Sequence, residues 1–249
     1  VTVALSGDDP DWIALEQAIF VNRCPGGAIS GVHVESRDEE KPANEIDLYQ
    51  ERFDQRLSQA GMTGKYFIRQ GEPASALLEF SLLSDLLVLK LSHPPATSIV
   101  ERISHGIITI LQQSRRPVLF VIEEPLPVSS ILLPFDGSQP SKEALYIAAY
   151  YAARYDCKLH LLLVTRGSEK DEINRYYVQT YLERLGVKAD YHQGSSESFA
   201  ADVVRLAESL AVSTLILGGY ENTSIFDRVF SQSIDEILAQ VTIPVMICQ

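Results

Sequence analysis

The chain repeats itself, and the repeat limits what it can fold into more than any other feature does. Gly7, Pro10, Ala14, Leu15 and Ala18 recur 130 positions later as Gly137, Pro140, Ala144, Leu145 and Ala148. Gln70-Gly71 returns as Gln193-Gly194, and Thr97-Ser98-Ile99-Val100-Glu101-Arg102-Ile103 returns as Thr223-Ser224-Ile225-Phe226-Asp227-Arg228-Val229. Each copy then continues through an Ile-Leu step (Ile110-Leu111, Ile237-Leu238) to Pro-Val (Pro117-Val118, Pro244-Val245). The offset drifts only between 123 and 130, so the same elements recur with small differences in loop length. Two copies of one domain account for the 249 residues, joined near Glu123-Glu124-Pro125-Leu126-Pro127-Val128, where two prolines interrupt strand pairing. The expected domains are 1–127 and 128–249.

Within each copy, short β-rich runs alternate with amphipathic stretches. In the second copy, Ile131 to Phe135 reads as a strand, and Gly137-Ser138-Gln139-Pro140-Ser141 as a turn with helix-start chemistry. Lys142 to Tyr155 reads as a helix with Ala144, Leu145, Ala148 and Ala149 on one face. Strands follow at Lys158 to Thr165, Val187 to His192, Thr214 to Leu217 and Pro244 to Cys248. Helices separate them at Asp171 to Leu185, Phe199 to Leu210 and Ile225 to Gln240. Unbroken apolar runs such as Leu159 to Val164 suggest strands covered on both faces. Five strands and four helices in strict alternation predict a doubly wound five-stranded parallel sheet in each half.

Charge excludes some partners. The 33 acidic residues against 21 basic ones give a formal net charge of -12, shared between the halves as -7 and -5. Nucleic acid and anionic membranes recruit basic patches, so neither is expected as the main partner. No apolar run reaches the ~18–20 residues of a spanning helix, and a cytoplasmic location is the expectation. Cys24, Cys157 and Cys248 are far apart with no CxxC pair, which points to burial rather than to disulfides or zinc. The five histidines show no metal-ligand spacing, and no Walker loop, dinucleotide fingerprint or hydrolase elbow is present.

Ile131-Leu132-Leu133-Pro134-Phe135-Asp136-Gly137-Ser138, then Ala144-Leu145, Gln193-Gly194, Thr214-Leu215-Ile216-Leu217-Gly218 and Ile243-Pro244-Val245-Met246, resemble the universal stress protein family. The likeness covers nearly all of the second half and, more weakly, the first. It implies a tandem member with the adenine nucleotide alpha hydrolase-like fold, two domains on one chain resembling the dimer of single-domain members. The family's nucleotide-binding members carry an Asp after the first strand, an aliphatic residue facing adenine at the end of the second, and a glycine-rich phosphate loop after the fourth. By resemblance Asp136, Val164, Gly218 and Gly219 are the candidate ligand residues. Glu221 stands at the loop's second glycine, however, and Ser231-Gln232 at its final Gly-Ser pair. A carboxylate about 5 Å from phosphate costs roughly 3 kcal/mol at an effective dielectric near 20. In the first half Ser6 replaces the Asp, while Lys90 and His93 replace the glycines.

The resulting expectation is a non-enzymatic stress-response regulatory or scaffold module that forms an internal pseudo-dimer and needs no cofactor. It would self-associate through its last strands, Val118 to Ile122 and Val245 to Cys248, and engage a protein partner that remains unknown. The alternative is an ATP- or AMP-binding module using the C-terminal domain alone. Tyr177 and Tyr181, one helical turn apart, read as a packing face. The Ser-Ile-x-acid-Arg segments at Ser98 to Arg102 and Ser224 to Arg228 read as salt-bridged helix starts.

Overall fold

A computed structural model describes residues 1–5, 12–22, 27–35, 43–91, 105–165, 167, 169–219 and 227–249, with the side chains of 43, 44, 105 and 227–232 left aside. The chain divides into two compact units, Val1–Pro127 and Val128–Gln249.

The first unit runs β1 (Thr2–Ala4), α1 (Trp12–Val21), β2 (Ala28–Glu35), α2 (Ala43–Gln59), β3 (Thr63–Gln70), α3 (Pro73–Ser81), β4 (Leu87–Lys90), α4 (His105–Gln113) and β5 (Val118–Val121). The second runs β6 (Ser130–Phe135), α5 (Gln139–Tyr155), β7 (Lys158–Thr165), α6 (Glu169–Leu185), β8 (Ala189–Ser195), α7 (Phe199–Leu210), β9 (Thr214–Gly218), α8 (Asp227–Leu238) and β10 (Val245–Cys248). Within the first unit the strand order is β3-β2-β1-β4-β5, and within the second it is β10-β9-β6-β7-β8, the same order in repeat terms. The pairs within each unit are parallel. Each unit is thus the doubly wound α/β sheet expected from the alternation.

Strand order reverses between β1 and β4, and again between β6 and β9. In open α/β sheets ligands collect in the crevice at the carboxyl ends of the strands flanking such a switch point. Those ends carry Ala4 and Lys90 in the first unit, Phe135 and Gly218 in the second. The registers match across the repeat: Thr2 pairs with Leu87, and Leu132, 130 positions on, pairs with Leu215. Lys90 therefore occupies the place of Gly218.

The core follows the repeated sequence. Ala14, Leu15 and Ala18 of α1 and Ala144, Leu145 and Ala148 of α5 are fully buried against their sheets. Small residues on these faces let the helix backbone approach the strands closely. Phe120, Ile131, Leu132 and Phe135 are buried to within 1%, each worth about 1.5–3 kcal/mol when removed from water. Cys157 and Cys248 are buried thiols, as the sequence reading expected; Cys24 lies outside the described residues. His33 is also structural, since its Nδ1 donates to the Leu5 carbonyl at 2.8 Å inside the fold.

Several boundaries differ from the sequence expectation by one to three residues, two of them for a clear physical reason. α5 begins at Gln139, with Pro140 in its first turn, where its missing N–H costs nothing. β8 runs on to Ser195, because Gln193 and Gly194 keep pairing with Leu163 and Val164, and Thr165 Oγ1 donates to the Gly194 carbonyl at 3.1 Å. The repeated Gln-Gly pair completes this edge strand. A Cβ on Gly194 would lie 2.9 Å from Leu162 Cδ1, so any larger residue there would push the end of that leucine aside.

Beyond β8, the Asp202 carboxylate accepts from Arg205 at 2.8 Å, from Ser198 Oγ at 2.7 Å and from the Ser195 amide at 3.2 Å. The Arg205 bond first, and the Ser198 bond next, hold its carboxyl below the ordinary range. A lowered folded pKa gives stability that is complete above the unfolded value, about 3.9, and is lost as pH falls through the folded one. Urea midpoints measured from pH 5 down to pH 2 are expected to fall less steeply in Asp202→Asn than in the parent chain. Equal slopes would show that this contact contributes nothing to folding.

Candidate functional site

The second unit brings two of its four candidate residues, Asp136 and Gly218, to the first turn of α5. Asp136, directly after β6, uses Oδ1 to accept from the Ser138 amide at 3.0 Å and from Ser138 Oγ at 2.6 Å. Such a turn is a common use of Asp just ahead of a helix. Ser138 is the N-cap, its Oγ accepting from the Ser141 amide at 3.3 Å. Gly137 sits at φ 82°, in the left-handed region that glycine adopts without strain. A side chain there would also meet Asn174 of α6, whose Nδ2 donates to the Asp136 carbonyl at 2.9 Å. Asn174 thus locks the turn from the neighbouring helix, a role nothing in the local spacing announces.

Gly218 ends β9 against the same helix start. A Cβ built on it would lie 2.7 Å from the Ser141 amide nitrogen and 2.9 Å from the Pro140 carbonyl carbon. On Gly219 a Cβ would lie 2.3 Å from the Cys248 carbonyl oxygen of β10. Both glycines are therefore demanded by backbone packing, whatever else they do.

Val164 stands one strand further out on β7 and is nearly buried. It opens on a cleft of about 360 Å³, lined also by Phe135, Thr165, Asn174, Arg175 and Tyr176. Asp136, Gly218 and Gly219 are not among the walls of this cleft, while two carboxylates, Asp171 and Glu172, are. The sequence reading missed this lining from α6 because it treated that helix only as cover.

Beside the cleft lies an aromatic stack. Tyr177 is parallel to Phe135 at 6.4 Å and to Tyr181 at 6.5 Å, with Lys142 Nζ 5.6 Å from the Tyr177 ring centre. The hydroxyls of Tyr146 and Tyr177 share a hydrogen bond of 2.6 Å, which is the main reason the Tyr177 phenol is pushed up to about 12. The expected packing face is present for Tyr177 and Tyr181, whereas Tyr176 is 72% exposed.

Ser231 and Gln232, at the loop's last expected position, lie more than a turn inside α8, which the structure describes from Asp227. Only the first few amides of a helix lack internal partners, so these two are not placed to receive phosphate. Glu221, Ser6, His93 and the segment Ser98 to Arg102 lie outside the described residues, as does Ser224 to Phe226. Of the second Ser-Ile-x-acid-Arg segment only the backbone of Asp227 and Arg228 is described. Lys90 is described and, as the register requires, takes the first glycine's place in the first unit.

No family model matches the chain, and no curated protein matches it. Solved structures do. A universal stress protein from Archaeoglobus fulgidus DSM 4304 has a TM-score of 0.78 at 15% identity, covering 100% of this chain and 95% of its own. A putative universal stress protein from Pseudomonas aeruginosa UCBPP-PA14 has a TM-score of 0.70 at 16% identity, covering 99% of this chain and 92% of its own. A functionally unknown protein from Pseudomonas aeruginosa PAO1 gives the same figures. Among the described residues no helix is long and apolar enough to cross a membrane. The motif resemblance read from the sequence and the likeness of the whole chain agree: along its full length the protein has the universal stress protein fold.

Proposed function

We propose that the chain is a non-enzymatic regulatory or scaffold protein of the stress-response type, cytoplasmic, whose two units act together as an internal pseudo-dimer. The observation that carries this reading is the packing around Gly218 and Gly219. Their lack of side chains is already explained by Ser141 and Cys248, so the glycines are no evidence of a phosphate cradle. Two further features point the same way: Asp136 serves the α5 turn, and the amides of Ser231 and Gln232 lie within a helix.

The last strand of each unit, β5 or β10, lies at the end of that unit's own strand order. An open parallel edge invites pairing with another strand, and burying one edge on another removes that hazard. These strands are the proposed contact for the pseudo-dimer and for self-association of the chain.

Nucleotide binding is the reading that competes with this one. A ligand at a hundred times its dissociation constant stabilises the folded state by about 2.7 kcal/mol. For a chain of this size that amounts to a rise of about 5–10 °C in melting temperature. Millimolar ATP or AMP with magnesium is expected to leave the melting temperature where it was. A rise of that size would overturn the proposal in favour of a nucleotide module.

A further inference from the structure

The first unit has a cavity of its own at the carboxyl ends of β1, β2 and β4, between α3 and α4. It measures about 240 Å³. Leu5, Val34, Leu77, Leu89 and Ile110 form much of its wall, and among the described residues the other walls are likewise aliphatic, glycine or proline, with one exception. That exception is Lys90, the last residue of β4. Its ammonium has no hydrogen-bond or ion-pair partner among the described residues, although the side chain is partly buried.

We infer that this cavity binds a small carboxylate with an apolar tail, the tail among the aliphatic walls and the carboxylate on Lys90. Three features select that chemistry. The described walls offer a polar ligand no side-chain hydrogen bond other than those of Lys90, so a nucleobase or a sugar would leave polar groups unpaired against them. An apolar tail loses nothing there. The amides at the start of α3 are already taken, since the Glu72 carboxylate accepts from Ala74 N at 2.9 Å and Ser75 N at 2.7 Å. An anion in the cavity therefore turns to the lysine instead of the helix end. Finally, the volume lies below the ~300–1,000 Å³ that drug-sized ligands fill, which favours a short- or medium-chain acid.

The comparison with the second unit sharpens the assignment. At the equivalent register position Gly218 has no room for even one side-chain carbon, whereas position 90 carries a long cationic side chain that lines an apolar cavity. The two units therefore offer different chemistry at the same point of the fold.

The test is calorimetric titration of the full chain at pH 7 with octanoate, octanol and octylamine, alongside melting curves. Octanoate is expected to bind at one site per chain and raise the melting temperature. Octanol should bind more weakly, and octylamine not at all. Lys90→Met should weaken octanoate by about tenfold to a hundredfold, the usual worth of a charged hydrogen bond, while Lys90→Arg retains it. Absence of octanoate binding, equal affinity for octanol, or an undiminished affinity in Lys90→Met would each overturn the inference. None of these outcomes depends on whether the second unit binds ATP.

Discussion

A chain that stops at Ile243 is expected to have no folded second unit and to elute as aggregate. β10 contributes Val245, Met246, Ile247 and Cys248, none of them more than 2% exposed. Returning those four side chains to water costs about 5–10 kcal/mol, which is most or all of the stability of an ordinary domain, about 5–15 kcal/mol. Hydrogen bonds go with them. β10 pairs with β9 from Val245–Leu215 to Cys248–Gly218, and the Leu215 amide donates to the Pro244 carbonyl at 3.0 Å. Without that strand β9 becomes an unprotected edge lined with apolar residues, the kind of surface that recruits other chains. Light scattering after size exclusion, with far-ultraviolet circular dichroism, checks both effects. A truncated chain that ran as a folded monomer would remove the proposed role of the last strand as well as the energetic estimate. Ile247→Ala offers a milder version, expected to cost about 2–4 kcal/mol while leaving the backbone ladder in place.

Gly218→Ala and Gly219→Ala are each expected to destabilise the chain by about 3 kcal/mol, lowering the melting temperature by about 6–12 °C. One methyl group has such an effect because both neighbours are main chain. The Ser141 nitrogen, at 2.7 Å from the would-be Cβ, is fixed by the first turn of α5, and the Cys248 oxygen, at 2.3 Å, by β10. Neither can rotate away as a side-chain end could. The loss should be the same with and without ATP and magnesium, which separates packing from ligand binding. A larger substitution such as Gly218→Asp is a poor probe of phosphate contact for the same reason, since its Cβ clashes before its charge acts. If either alanine variant melts with the parent chain, the backbones stand further apart than described and the glycines regain their value as signs of a phosphate loop.

Much of the fold was legible from periodicity alone. The strand Lys158–Thr165 and the helix Phe199–Leu210 have the bounds read from the sequence, because an unbroken apolar run and an amphipathic stretch each end at a clear break. The alanine face of α5 was legible for the same reason. β8 was read to end at His192, whereas it runs to Ser195. Its pairing depends on β7, which approaches only in the folded sheet.

The candidate site was legible in part. Resemblance picked out Asp136, Gly218 and Gly219, and the structure brings the first two to one helix start and sets Gly219 against β10. What the glycines accommodate could not be read from their own surroundings, since Ser141 and Cys248 lie far from them in the chain. Asn174 was invisible for a similar reason, as its contact with the Asp136 carbonyl spans 38 positions. The cavity beside Lys90 is the property of five elements meeting, and no single stretch of sequence encodes it.

The register shared by Lys90 and Gly218 also bears on how two copies of a duplicated domain can drift apart. Random substitution at position 218 meets a wall of main chain, so almost every change is removed by misfolding before it can be tried for a use. At position 90 the equivalent residue lines an apolar cavity and is a long basic side chain. In a duplicated chain of this kind, a position walled in by main chain keeps its residue for structural reasons alone, whether or not a ligand is bound beside it, and new chemistry should accumulate first at positions without such walls.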